Sequence, residues 1–366
     1  MTLRIFPFVM CGGAGTRLWP MSTQSQPKQF HRIVSDLSML QETAVRGGLA
    51  EGIDIAPPSF ICSAAHKDLV LSQCEEIGIK PHKIVLEPMA KNTAAVAATI
   101  GLTMADIGPD ALVLLLPADH YIRDVPAFWN YIKSGTVSAL AGNIVTFGIK
   151  PTHPETGYGY IQAGEECGDE SRMIVEFVEK PDLEAAKTYL ANGSYFWNAG
   201  IFLFKPNVIV AAFTDHALDI LQDVEIAVQE AKTVDNLVFL DGAGFDKCRS
   251  DSFDYAIMEI AANISLVGPV DIGWNDIGSW RAVWEHEMNM GGPAVKDGYC
   301  SETRTSKVHC SNVLLRSSGP FVATVGVSDL AVIATENSVL IINLNSAQHV
   351  KKVVTQLKEA KQADLF

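Results

Sequence analysis

No apolar stretch of this 366-residue chain reaches the roughly 18 residues that a membrane-spanning helix requires, so none is expected. The N-terminus carries Arg4 and then an apolar strand pattern. It lacks the charged segment, apolar stretch and cleavage site of a signal peptide, and a cytoplasmic chain is expected. Seven cysteines are scattered without a Cys-x-x-Cys pair, which excludes the common zinc and redox spacings and reads as reduced thiols. Positive charge is scarce: 28 Lys and Arg stand against 42 Asp and Glu, for a net charge of −14. That balance argues against general nucleic-acid binding, which needs a basic surface. There is no Gly-x-Ser-x-Gly elbow, no His-Glu-x-x-His and no other nucleophile–base arrangement. Reactions driven by positioning and electrostatics, phosphoryl and nucleotidyl transfer among them, remain open.

What is present is a globular composition, 48% hydrophobic and 19% charged. Short apolar runs at Ile5–Met10, Ser59–Cys62, Ala111–Leu116, Ile144–Phe147 and Ile201–Phe204 read as strands. Continuous runs of this kind suit parallel strands covered on both faces. The Ala-rich segment from Thr93 to Ile107 reads as a helix capped by Asn92. The expected fold is α/β: a doubly wound, Rossmann-like domain with a mostly parallel sheet over residues 1–290. The chain changes character after Met290-Gly291-Gly292-Pro293, and residues 291–366 read as a small β-rich domain ending in a helix. Its strands are expected at Val308–Leu315, Phe321–Val325, Leu330–Ala334 and Val339–Asn343, as a β-helix-like stack or a compact sheet. The closing helix, Ser346 to Gln362, carries Val350, Val353, Val354 and Leu357 on one face. That stripe either packs on its own domain or forms a contact in a homodimer.

The densest chemical signal is Cys11-Gly-Gly-Ala-Gly-Thr-Arg-Leu-Trp-Pro20, directly after the first strand, with Pro27-Lys28-Gln29-Phe30 behind it. Glycines let backbone N–H groups approach a phosphate, and Arg17 and Lys28 add fixed positive charge. The loop is neither a Walker loop, which needs Gly-Lys-Ser/Thr, nor a dinucleotide fingerprint, which needs glycine where Leu18 stands. Asp119, just past the strand ending at Pro117, suits a divalent cation carrying phosphates, or else a turn or cap. Asp276, within Gly273-Trp-Asn-Asp-Ile-Gly-Ser-Trp280, offers a second metal carboxylate or caps the helix containing Trp280. His120 reads as structural. Gly159, Glu179 and Asn198 offer the close approach, acceptors and donors that sugar hydroxyls need, and Lys180 offers a charge for a phosphate.

Together these stretches resemble the sugar-1-phosphate nucleotidyltransferases, and within them the bacterial mannose-1-phosphate guanylyltransferases. The motifs run in order through Gly12–Phe30, Glu87–Ala95, Leu116–His120, Phe147–Ile161, Phe177–Pro181, Trp197–Phe204, Asp254–Glu259 and Gly273–Trp280. The resemblance implies transfer of GMP from GTP to mannose 1-phosphate, giving GDP-mannose and pyrophosphate, with Mg2+ as cofactor. It implies that Gly12, Gly13, Gly15, Thr16, Glu87 and Asn92 contact the nucleotide, and that Arg17, Lys28 and Asp119 act in catalysis. It further implies that Asp119 and Asp276 bind the metal, while Gly159, Glu179, Lys180 and Asn198 hold the sugar phosphate. Glu87-Pro88 stands where thymidylyl-transferring relatives carry a glutamine, and a carboxylate can accept from both guanine N1–H and N2–H2. Two departures are Cys11 for alanine, where the backbone matters more than the side chain and a small effect is expected, and Phe253 for an aliphatic residue, which is expected to affect packing only. Many bacterial members continue into a cupin-type isomerase domain; this sequence ends at Phe366, and a single activity is expected. The competing readings are a relative using another sugar phosphate and a non-catalytic, nucleotide-sensing paralogue.

Overall fold

The computed structural model describes residues 3–13, 15–50, 52–108, 111–167, 170–290 and 304–366, together with the backbone of 298–300 and excepting the side chain of Ala363. The expected change of character at Gly291-Gly292-Pro293 lies outside the described residues. Two compact units emerge. The first comprises Met1–Gly12, Thr43–Ala118 and Ile122–Trp274; the second comprises Gly13–Glu42, Asp119–Tyr121 and Asn275–Phe366. Among the described residues, no helix is long and apolar enough to cross a membrane.

The first unit is built on a 12-stranded mixed sheet. Its order is Lys232–Val234, Leu237–Phe239, Ile84–Glu87, Ser59–Ser63, Arg4–Met10, Leu112–Pro117, Tyr195–Phe204, Ile144–Ile149, Ile264–Val270, Ser171–Val178 and Tyr160–Glu166, with Asp54–Ile55 beside Arg4–Met10. Neighbours from Leu237–Phe239 to Leu112–Pro117 run parallel. The run Ile201–Phe204, expected to suit a parallel strand, is instead the end of Tyr195–Phe204, antiparallel to both Leu112–Pro117 and Ile144–Ile149. A continuous apolar run reports burial on both faces, which any central strand has, and carries no information about direction. The burial itself is as expected: Val113 and Leu115 join one buried cluster, and Leu112, Leu114 and Leu116 another, on alternate faces.

The Ala-rich helix spans Asn92–Thr103 and is buried from Ala94 to Gly101. Asn92 does not stand outside it as the cap. Lys91 takes that position, and Asn92 is the first helical residue, at φ 66°, its Oδ1 accepting the Thr93 N–H at 2.8 Å. The asparagine side chain mimics a turn locally and tolerates the left-handed region, so it serves the helix start from one position inside.

In the second unit, Thr305–Val308 lies parallel to Val322–Val325, and Ser311–Ser317 lies parallel to Ser328–Ala334. Thr305 pairs with Val322 and Ser311 with Ser328, 17 residues on in both ladders. A common offset means that successive coils stack, so the β-helix-like alternative is the one adopted. The expected single strand Val308–Leu315 is two strands, broken at His309 (φ 53°), where the coil turns its corner. The closing segment is a 3-10 turn over Leu344–His349 followed by the helix Val350–Glu359. Val350 and Val354 are buried in one cluster with Leu18, Trp19, Trp280 and Ile333, so this stripe packs within its own unit.

Candidate active site

The glycine loop enters the 3-10 turn Thr16–Leu18 through Gly15, at φ 56°. A side chain at Gly15 would collide with the Cβ of Lys28, so this glycine is needed for both its dihedral and its closeness. Trp19 then anchors the loop: its Nε1 donates to the Leu365 carbonyl at 2.5 Å, and its own carbonyl accepts from Trp280 Nε1 at 2.9 Å.

Lys28 sits in the 3-10 turn Lys28–Phe30 and is 3% exposed. Its ammonium donates to Asp119 Oδ2 at 2.8 Å, to the Asp119 carbonyl at 2.9 Å and to the Asp276 carbonyl. An ammonium has three donors, so these bonds use them all. An isolated antiparallel bridge reinforces the arrangement: Tyr121 N–H donates to the Asn275 carbonyl at 2.9 Å, and Asn275 N–H returns to the Tyr121 carbonyl at 3.0 Å. Two segments remote in sequence thereby bring Asp119 and Asp276 together. Burial alone would raise the Asp119 carboxyl, but Lys28 and His120 outweigh it and hold the group below its ordinary value.

Gly15, Thr16, Arg17, Lys28, Asp119, His120, Asp276, Gly278 and Lys351 line one cavity of about 210 Å³. Gly12 and Gly13 are not among its lining residues. Arg17 Nε is buried there without a hydrogen-bond partner among the described residues. Asp276 does not cap the helix Trp280–Met290. Its Oδ1 accepts the Gly278 N–H at 3.0 Å in a tight turn, while Ser279 Oγ accepts the Ala282 N–H at 3.3 Å at the helix start. Sequence reasoning does not single out Lys351 as a site residue. A lysine on an amphipathic surface helix looks like any solvated charge, so the sequence carries no signal that could have found it.

The remaining predicted residues belong to the first unit. Glu87 ends the strand Ile84–Glu87, is 7% exposed, and has a buried Oε1 with no hydrogen-bond partner among the described residues. Burial pushes its carboxyl up to about 8. Gly159, Glu179, Lys180 and Asn198 do come together. A Cβ on Gly159 would lie 2.7 Å from Glu179 Oε2, and the Gly159 carbonyl accepts the Asn198 N–H at 2.8 Å. Lys180, at φ 49°, is ion-paired with Glu179. Asn198 is fixed at both ends: Oδ1 accepts from Thr146 Oγ1 at 3.2 Å and Gly200 N–H at 3.0 Å, and Nδ2 donates to Asp254 Oδ1 at 3.0 Å.

Asp254 is a second residue to which sequence reasoning gives no role, although it opens one of the motifs of the resemblance. It starts a π-helical turn, Asp254–Met258, a rare element that often marks functional sites. Burial, with a contribution from Glu179, raises its carboxyl to about 7. The turn is tied to the start of the Asn92–Thr103 helix, since Thr93 Oγ1 accepts the Phe253 N–H at 2.8 Å and Ala94 N–H donates to the Asp251 carbonyl at 3.1 Å.

Residues 6–291 match the nucleotidyl transferase family, and residues 304–357 match the MannoseP isomerase/GMP-like beta-helix domain. A mannose-1-phosphate guanylyltransferase of Escherichia coli is 38% identical over 98% of this chain and 75% of its own. The xanthan biosynthesis protein XanB of Xanthomonas campestris is likewise 38% identical, over 98% of this chain and 74% of its own. Among solved structures, the mannose-1-phosphate geranyltransferase from Thermus thermophilus superimposes with a TM-score of 0.81 at 28% identity, covering 97% of this chain and 99% of that one. The chain belongs to the nucleotidyl transferase family and, within it, groups with the mannose-1-phosphate guanylyltransferases.

Proposed function

We propose that this protein transfers GMP from GTP to α-D-mannose 1-phosphate, releasing pyrophosphate, and so supplies GDP-mannose for polysaccharide synthesis. The observation that carries the reading is the cavity where Gly15, Thr16, Arg17, Lys28, Asp119 and Asp276 meet from three separate stretches of sequence. The relatives' names supply the sugar and the base. In this reading residues 1–290 are the catalytic domain in sequence order and 291–366 the β-rich one.

The nucleophile is a phosphate monoester whose second pKa is about 6, so it is already mostly dianionic at neutral pH and no general base is required. A sugar-phosphate oxygen forms a bond to the α-phosphorus, and the bond to the bridging oxygen breaks as pyrophosphate leaves with the electron pair. The difficulty is the mutual repulsion of two anions. Arg17 offers the triphosphate its unsatisfied Nε, and the glycine loop offers backbone N–H groups. Lys28 acts as a brace, holding Asp119 and the Asp276 loop in fixed relation. Lys180, steered by Glu179, receives the sugar phosphate, while Gly159, Glu179 and Asn198 hold the mannose ring. Asn92 and Glu87 serve the nucleotide, Glu87 through its orphaned oxygen and the guanine edge.

Asp119 and Asp276 fit a magnesium ion, which commonly takes one or two carboxylates and completes its octahedron with phosphate oxygens and water. Among the described residues no group of three or more His, Cys, Asp or Glu offers a complete protein cage, so this donor set suits an ion shared with the substrate. When bound, Mg2+ supplies charge neutralisation on the phosphates.

The test is release of pyrophosphate from GTP and mannose 1-phosphate, against ATP and glucose 1-phosphate controls. Rapid release only in the matched pair is expected. Asp119→Ala is expected to lower turnover by a factor of hundreds while the circular dichroism spectrum persists. Equal rates with the control pair, or a near-normal Asp119→Ala variant, would reject the reading.

A further inference from the structure

We propose that Lys351, on the helix Val350–Glu359 of the C-terminal region, is a phosphate-binding residue of the cavity, contacting the β- and γ-phosphates of the nucleotide and the pyrophosphate that leaves. The proposal deepens the guanylyl-transfer reading and rests on it for the identity of the nucleotide. Three observations carry it.

Lys351 lines the same cavity as Gly15, Arg17, Lys28, Asp119 and Asp276. Its helix is also fixed against the phosphate loop. Val350 and Val354 share a buried cluster with Leu18, Trp19 and Trp280, and Trp19 Nε1 reaches the Leu365 carbonyl just beyond the helix. Arg17 and Lys351 thus ride on two elements packed on one core. The third observation is the charge balance. Lys28 is the most buried cation of the cavity, yet all three of its donors go to Asp119 and Asp276 groups. With Asp119 and Asp276 both lining the wall, Arg17 alone would be a small counterweight to a triphosphate carrying several negative charges. Lys351 adds a further positive charge at the wall, on a long, exposed side chain. Its neighbour Lys352 is also exposed, is not among the cavity-lining residues and serves as the internal control.

The experiment compares Lys351→Ala, Lys351→Arg and Lys352→Ala in the full chain. Binding of inorganic pyrophosphate and of tripolyphosphate with Mg2+ is measured by calorimetry, and KM is measured separately for GTP and for mannose 1-phosphate. Lys351→Ala is expected to weaken both inorganic probes about tenfold or more and to raise KM for GTP comparably. KM for mannose 1-phosphate and the thermal midpoint should not move. Lys351→Arg should recover most of the loss, and added salt should weaken the wild type more steeply than Lys351→Ala. Probe binding in Lys351→Ala equal to that in Lys352→Ala would overturn the proposal. Weakened probe binding in a chain that makes no GDP-mannose would uphold the phosphate contact and overturn only the substrate assignment.

Discussion

Glu87 and Asp254 are carboxyls whose burial is compensated by no cation within salt-bridge distance among the described residues, and both titrate far above their ordinary values of 4.5 and 3.8. The consequence for stability has a definite sign. Where the folded pKa exceeds the unfolded one, the folded chain binds more protons, so stability is full below the unfolded value and falls as pH rises through the folded one. The ligand-free protein should therefore lose stability between about pH 5 and pH 8, the upper limit set by Glu87. Glu87→Gln and Asp254→Asn, which cannot ionise, should flatten this slope in urea denaturation at a series of pH values. An unchanged slope in the double variant would contradict the burial argument. Glu87→Gln also tests base choice: with bound guanine's N1–H and N2–H2 holding Glu87 ionised, replacing one of its acceptor oxygens with a donor should cut kcat/KM for GTP roughly 10- to 100-fold relative to ATP. Asn198 teaches a different lesson. Its residue type suggests a hydroxyl ligand, and Thr146, Gly200 and Asp254 fix it in place for that role while it ties strand Tyr195–Phe204 to the π-helical turn.

At the scale of elements, the glycine loop is informative because its last glycine is needed for two independent reasons. Gly15→Ala places an L-residue at positive φ, which costs about 1–2 kcal/mol, and drives its methyl into Lys28. Because Lys28 braces Asp119 and Asp276, the displacement should reach the cavity. Turnover is expected to fall on the order of 100-fold, with a thermal midpoint only modestly lowered. A variant with near-normal turnover would show that Lys28 does not set the geometry of the carboxylates. The 3-10 turn after the loop is legible in the sequence only as Thr16, Arg17 and Leu18 following Gly15. That Trp19 ties it to Leu365 and Trp280 cannot be read there, since a tryptophan in a turn names no partner until the chain is folded.

For the whole molecule, the sequence division into a catalytic part and a β-rich tail describes the order of the chain, whereas the compact units recruit Gly13–Glu42 and Asp119–Tyr121 into the one containing the tail. The tail is thus part of the unit that carries most of the glycine loop. The apolar stripe of the last helix is spent on this core, which bears on assembly. Val354→Asp should destabilise the protein by about 2–4 kcal/mol, because an unpaired charge enters a dry cluster. Its molar mass by light scattering should match the wild type at temperatures where both are folded. A change of mass without loss of stability would return the stripe to the role of a dimer contact.

The sequence by itself determined the apolar strands of the first unit, their burial and the glycine loop, and it offered Asp119 as a candidate site carboxylate, because each is written in local pattern: apolar runs, glycines after a strand, a carboxylate after Pro117. It also carried the family, through motifs in fixed order. Tertiary structure alone decided the antiparallel direction of Tyr195–Phe204 and the 17-residue register of the coil. It decided as well the commitment of Lys28 to Asp119, and the presence of Lys351 beside a loop more than 300 residues earlier in the chain. The physical reason is common to all four. Direction, register, ion pairing and cavity walls are relations between residues distant in sequence, and no local pattern encodes which distant partner a side chain will meet.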